Sequence, residues 1–274
     1  TVVRVSSNPN LRETPFLSPK DTYADGGWDA VKHDAEEKAD LLLSLGINVN
    51  LAPVCDMTSD EYGFMYDRSF SSDVDMENRY VRTVVETSKS KKLGTVLKHF
   101  PGYGNNSDTH TGIAYDDRDY SEFENTDFKP FYQGIESGAD CILVSHNIVN
   151  CMDSEYPASL SQKVHDILRN EFKFDGVIMT DDLIMDAITD FTGDEAAAVT
   201  AAKCGNDLLC CSSVDTQYPA VLEAVQNGEI SEAQVDASVK RILKWKQNLG
   251  IFSIDTYQKK VKSTEPTDTV GSEE

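Results

Sequence analysis

The stretch Ile167-Leu-Arg-Asn-Glu-Phe-Lys-Phe-Asp-Gly-Val-Ile-Met-Thr-Asp-Asp-Leu-Ile184 changes periodicity halfway along. Val164, Ile167, Leu168 and Phe172 share one face at helical spacing. After Asp175-Gly176, the apolar run 177–179 reads as a strand buried on both faces. A helix that turns straight into an apolar strand is half of a parallel-sheet unit. The alternation extends outward in both directions. Apolar runs at 2–5, 47–54, 95–97, 141–144 and 208–211 read as further buried strands. Val31, Ala35, Ala39 and Leu42 form one helical stripe, and Val235, Val239, Ile242 and Leu249 another. Gly46, Gly138 and Gly205 stand where a left-handed cap precedes a strand. A βαβα order with right-handed crossovers gives a parallel sheet, either doubly wound or closed as a barrel.

Spacing alone does not choose between them, but the reactive residues favour the barrel. Asp56, Lys98-His99, His146 and Asp181 each fall just beyond a predicted strand, on the side where a (β/α)8 barrel gathers its active site. Three of the five histidines (His99, His110 and His146) lie at such ends, while His33 and His165 read as solvated helix positions. The length of 274 residues suits one barrel domain over 1–252, followed by a polar tail over 253–274.

Composition narrows the function classes. With 25 Lys and Arg against 47 Asp and Glu, the net charge is −22 and no basic cluster stands out. Nucleic-acid backbones and anionic membrane surfaces both require local positive potential, so neither is an expected partner. The 39% hydrophobic content includes 11 Phe, 11 Tyr and 2 Trp, enough for a packed core. No run approaches the ~18 apolar residues of a membrane span; the candidate at 41–54 is interrupted by Ser44, Asn48 and Asn50. The six cysteines lack C-x-x-C spacing, so no structural metal is expected. Cys141, Cys210 and Cys211 lie in apolar runs and read as buried thiols, which favours a reducing, cytoplasmic setting. The chain opens at Thr1, and an earlier segment removed by processing or truncation is expected.

Two segments encode chemistry. In Lys98-His-Phe-Pro-Gly-Tyr-Gly-Asn-Asn-Ser-Asp-Thr-His-Thr-Gly112, a strand ends in Lys-His, and a glycine-rich loop then carries Asp108 two residues before His110. A carboxylate so placed can orient an imidazole and raise its pKa, making His110 a general acid/base. An exposed Asx-turn loop with a surface histidine is the commoner reading of D-x-H. In the second segment Asp181 or Asp182 could attack a carbon centre from a strand end, or could merely cap the next helix. Gly102-x-Gly104 lacks the third glycine and the downstream acid of a dinucleotide loop, and neither G-x-S-x-G nor H-E-x-x-H occurs.

Together, Lys98-His-Phe-Pro-Gly-x-Gly with Asp108-x-His110, and Gly176-Val-Ile-Met-Thr-Asp181-Asp182-Leu, resemble glycoside hydrolase family 3, in particular its single-domain β-N-acetylhexosaminidase branch. The similarity extends through Leu45-Gly-Ile-Asn-Val-Asn-Leu-Ala-Pro-Val54, Arg68-Ser-Phe70, Gly138-Ala-Asp140, Pro157-Ala-Ser-Leu-Ser161 and Ala202-Lys-Cys-Gly-Asn-Asp-Leu208. The resemblance implies a TIM-like (β/α)8 barrel, here lacking its first strand and the start of its second. It also lacks the family's Asp-Gln-Glu-Gly-Gly stretch. It implies a retaining mechanism with Asp181 as nucleophile, His110 as acid/base oriented by Asp108, and Arg4, Arg68, Lys98 and His99 as ligands of the terminal sugar. The implied activity is exo-acting release of terminal N-acetylglucosamine from cell-wall or chitin-type oligosaccharides, as in peptidoglycan turnover, by a monomer without cofactor or metal. A phosphorylase of the same branch and a non-catalytic sugar-binding barrel are the alternatives. Tyr103 stands where the family's Gly-His-Gly has histidine.

Overall fold

The computed structural model describes residues 2–106, 109 and 112–257. Its core is a parallel sheet formed by β1 (Val49–Asn50), β2 (Gly94–Phe100), and then, past the short β3 (Tyr115–Asp116), β4 (Cys141–Val144), and, past β5 (Ile148–Val149), β6 (Val177–Thr180). The sheet order is β1-β2-β4-β6, and β3 pairs separately with β5. Two parallel bridges extend it: Val54 with Lys98 continues β1, and Met179 with Leu208 adds a fifth segment. The helices are α1 (Val2–Ser6), α2 (Pro19–Ser44), α3 (Val74–Ser90), α4 (Tyr120–Asn125), α5 (Phe128–Glu136) and α6 (Gln162–Asp166). They continue with α7 (Asp186–Thr192), α8 (Asp194–Lys203), α9 (Val214–Gln226) and α10 (Glu232–Asn248). Strand after helix after strand, all parallel, is the order of a TIM-like α/β barrel, and the described residues supply five adjacent strand segments of it.

Local chemistry sets the helix starts. Ser18, Asp73 and Ser231 are N-caps whose side chains accept from the backbone N–H of Asp21, Met76 and Gln234. The expected stripe Val31, Ala35, Ala39 and Leu42 is buried on α2, and Val164, Ile167, Leu168 and Phe172 are buried likewise. On one side of the sheet Phe100, Phe128, Phe131 and Phe172 pack with rings 5.1–5.6 Å apart. On the other side Val96, Cys141, Leu143, Val177 and Met179 meet Trp245 of α10 and Leu249 just past its end. Because side chains alternate along a strand, Asp181 falls on the same side as Val177 and Met179, and Lys98 on that of Val96.

The structure corrects four readings. Residues 2–5 belong to helix α1 rather than a strand. Helical spacing puts Val2 and Ser6 on one buried side, against Ala39, Leu42 and Leu93, while Val3 is exposed. On α10, Val235 and Val239 are exposed, because the helix meets the sheet through Trp245 and Leu249 near its C-terminus. His165 is buried, and its ring Nδ1 bonds the Ser161 carbonyl at 2.7 Å. Cys210 and Cys211 are only half-buried, unlike Cys141, since they lie beyond the last bridge to the sheet. No helix among the described residues is long and apolar enough to cross a membrane.

Candidate active site

The C-terminal ends of the strands bring together Asp56, Arg68, Lys98, His99, His146 and Asp181. Asp56, fully buried, accepts three hydrogen bonds: from His99 Nδ1–H at 2.7 Å, the His99 backbone N–H at 3.0 Å and the Tyr103 backbone N–H at 2.9 Å. Burial alone would raise its pKa, but the His99 contacts, the Tyr103 N–H and the Arg68 charge outweigh burial and hold the carboxyl below its usual range. Burial pushes the His99 pKa down against the pull of Asp56. A neutral His99 that donates from Nδ1 to Asp56 keeps its Nε2 lone pair free to accept from Arg68 Nη2 at 3.1 Å. Asp56 therefore fixes the ring, and the ring fixes the guanidinium.

Asp181 is anchored at the end of β6. Its N–H donates to the Val144 carbonyl at 3.1 Å, and its Oδ1 accepts from the Asp182 N–H at 2.9 Å. Burial would raise its pKa, but the nearby imidazoles of His99 and His146, the Asp182 N–H and the Lys98 ammonium hold it below the usual value. It is thus an ionised, mostly desolvated carboxylate, suited to attack on a carbon centre. Lys98 is pushed down to about 8, first by burial and then by the Arg68 charge, with Asp181 and Asp56 opposing.

The two adjacent carboxylates divide their roles. Asp182 accepts from the N–H groups of Ile184 at 3.3 Å and Ser212 at 3.1 Å, and from the Ser212 hydroxyl. Its carbonyl accepts from His146 Nε2–H at 3.0 Å, while His146 Nδ1 accepts from the Ser159 hydroxyl at 2.7 Å. Asp182 therefore ties the loop after β6 to the chain after Leu208, and Asp181 is left to face the site. Beneath the glycine-rich loop, Arg118 bridges Asp116 and Asp127 at 2.8 Å each. A side chain at Gly102 would collide with Asp127, which is why glycine is needed there.

Of the expected sugar ligands, Arg68, Lys98 and His99 converge on this end. Arg4 is exposed on α1, whose Val2 N–H donates to Asn50 Oδ1 of β1, and among the described residues no contact ties it to the other three. Asp108 and His110 lie outside the described residues. The sequence reading placed Asp56 at a strand end but gave it no role. Its signal was an acid immediately following an apolar run, in the same pattern as Asp181. Among the described residues no group of three or more His, Cys, Asp or Glu could hold a metal ion.

Residues 18–245 match the family model for the glycosyl hydrolase family 3 N terminal domain. A curated relative, the beta-hexosaminidase of Hydrogenovibrio crunogenus, is 34% identical over 199 residues, which are 71% of this chain and 55% of that protein. A solved glycoside hydrolase family 3 beta-N-acetylglucosaminidase from Paenibacillus sp. str. FPU-7 superposes with a TM-score of 0.81 at 29% identity, over 86% of this chain and 46% of that one. The beta-glucoside phosphorylase BglX superposes with a TM-score of 0.82 at 25% identity, over 87% and 45% of the two chains. The chain spans about half the length of the curated relatives it matches.

Proposed function

The chain belongs to glycosyl hydrolase family 3, and from that premise we propose that it is a retaining β-N-acetylglucosaminidase. Its substrates would be oligosaccharides with a terminal N-acetylglucosamine, of cell-wall or chitin type. The observation that carries the reading is Asp181: an ionised carboxylate at a strand end, held beside Lys98 and His99 while its neighbour Asp182 takes the structural bonds.

In this mechanism Arg68, Lys98 and His99 grip the terminal sugar. Asp181 attacks its anomeric carbon, and the bond to the aglycone oxygen breaks as His110 donates a proton to that oxygen. The product is a glycosyl ester of Asp181. His110, now neutral and oriented by Asp108, takes a proton from water as the water attacks the same carbon and frees the carboxylate. Arg4 is left out of the proposed sugar contacts because of its place on α1.

Replacing Asp181 by Asn should abolish release of an aryl group from aryl N-acetyl-β-glucosaminides. Full turnover by that variant would defeat the assignment. The similarity to BglX favours one second reading, phosphorolysis. Products formed with and without inorganic phosphate decide between them: a sugar 1-phosphate means phosphorylase, and free sugar in both cases means hydrolase.

A further inference from the structure

Glu77 is a fully buried carboxyl to which the mechanism gives no part. It lies near the start of α3, and its Oε2 reaches back to accept from the Ser71 N–H at 2.9 Å. Burial pushes its pKa well above the usual value; the backbone N–H groups of Ser71 and Phe70 pull the other way, and the Asp56 charge adds to the rise. Burying a carboxyl is costly, and the bonds that offset the cost here go to one turn of chain. Capping α3 does not require Glu77, because Asp73 already accepts from the Met76 N–H at 2.9 Å. The turn that Glu77 holds is instead the one that carries Arg68. Within it the Arg68 and Ser69 N–H groups both donate to the Met65 carbonyl, at 3.0 and 2.8 Å. Lys20 Nζ donates to the Tyr66 carbonyl at 2.9 Å, and the Phe70 ring stacks on Tyr80 with centroids 4.7 Å apart. From this turn the Arg68 guanidinium reaches Met65 Sδ at 3.4 Å through Nη1 and His99 Nε2 at 3.1 Å through Nη2.

We propose that Glu77 is a positioning residue for sugar binding: by holding the Ser71 N–H it fixes the turn 65–71, and so sets where the Arg68 guanidinium meets the terminal sugar beside His99. The inference rests on the reading of Arg68 as a ligand of that sugar. A guanidinium bonds well only within a narrow range of distance and angle, so a small shift of the turn weakens the grip although Arg68 itself is unchanged. A role in stability alone would act through the folded fraction and would not depend on whether Arg68 is present.

Glu77→Gln keeps an acceptor oxygen for the Ser71 N–H; Glu77→Leu and Glu77→Met keep much of the volume and remove the acceptor. On an aryl N-acetyl-β-glucosaminide, Glu77→Gln should stay within about twofold of the parent kcat/KM, while Glu77→Leu and Glu77→Met should each lose about tenfold per folded molecule. Inhibition by free N-acetylglucosamine should weaken by a similar factor. In an Arg68→Ala background the same substitutions should change kcat/KM by less than about twofold, because the contact they disturb is already gone. Unchanged activity in Glu77→Leu and Glu77→Met, an equal loss in Glu77→Gln, losses that add fully to that of Arg68→Ala, or failure of both apolar variants to fold would overturn the proposal. Arg68→Ala alone separates the two readings. If it leaves kcat/KM and the inhibition unchanged, Arg68 is no sugar ligand, and the inference fails with that assignment. If it weakens both while Glu77→Leu does not, only the role of Glu77 fails.

Discussion

At the C-terminal ends of the strands the sheet carries Asp56, Lys98, His99 and Asp181, whereas its N-terminal half packs Val96, Cys141 and Val177 against Trp245 and Leu249. The first region buries charge: Asp56 and Asp181 are held ionised by their neighbours, and burial pushes Lys98 down to about 8. The second buries apolar surface, and Gly94 lets the Trp245 ring approach so closely that a side chain there would lie 3.1 Å from it. Chemistry and stability are thus separated along the strand axis. Spaces of about 310 and 250 Å3 open beside Lys89, Gly138 and Asp140, at the end opposite Asp181. What marks the end proposed as catalytic is an ionised carboxylate near His99, His146 and Lys98.

Substitutions at the two ends should therefore have opposite signatures. The largest effect is expected from Asp181→Asn, which should lower kcat by about 10⁴-fold or more while barely moving the urea midpoint. A large stability change with retained activity would erase the contrast. Asp56→Ala is the case in which the regions should merge. It strands three buried donors, so it should cost about 3–5 kcal/mol in urea unfolding and also abolish turnover. Trp245→Ala should cost about 3–5 kcal/mol as well, yet leave kcat/KM per folded molecule unchanged.

A smaller effect is expected from Lys98, whose pKa is pushed down to about 8. Its ammonium is present below that pH and lost above it, so kcat/KM should fall as the pH rises through about 8. Lys98→Arg, which stays charged, should remove this limb from the profile. The same shift makes the fold gain stability as the pH climbs from about 8 towards the ordinary value of 10.5, because the unfolded chain holds that proton more tightly. The smallest effect belongs to Val239→Ala on the exposed side of α10, which should change stability by no more than about 0.5 kcal/mol.

The sheet was legible wherever a strand is apolar on both faces, as at Cys141–Val144 and Val177–Thr180. Residues 2–5 misled because a short β-branched run carries no periodicity long enough to tell strand from helix; packing against α2 decided it. The stripe on α10 misled because spacing reveals a face but not how much of it finds a partner. At the site, Asp181, Lys98 and His99 stood out by their position after apolar runs. The place of Asp56 in the cluster did not, because it arises from contacts made only on folding: Asp56 meets His99 across 43 residues of chain. The residue pattern alone left the choice between Asp181 and Asp182 open, because the bonds that Asp182 makes to Ser212, from a distant segment, form only on folding.

The central claim is that Asp181 forms a covalent bond to the sugar. An N-acetylglucosaminyl fluoride carrying a second fluorine on the ring, which slows departure from the enzyme more than attachment, should trap that bond. Peptide mapping by mass spectrometry should then find one sugar, on the peptide containing Asp181 and lost in Asp181→Asn. A sugar attached to Asp56 or Asp182 instead, or turnover of the reagent with no adduct on any carboxylate, would contradict the account.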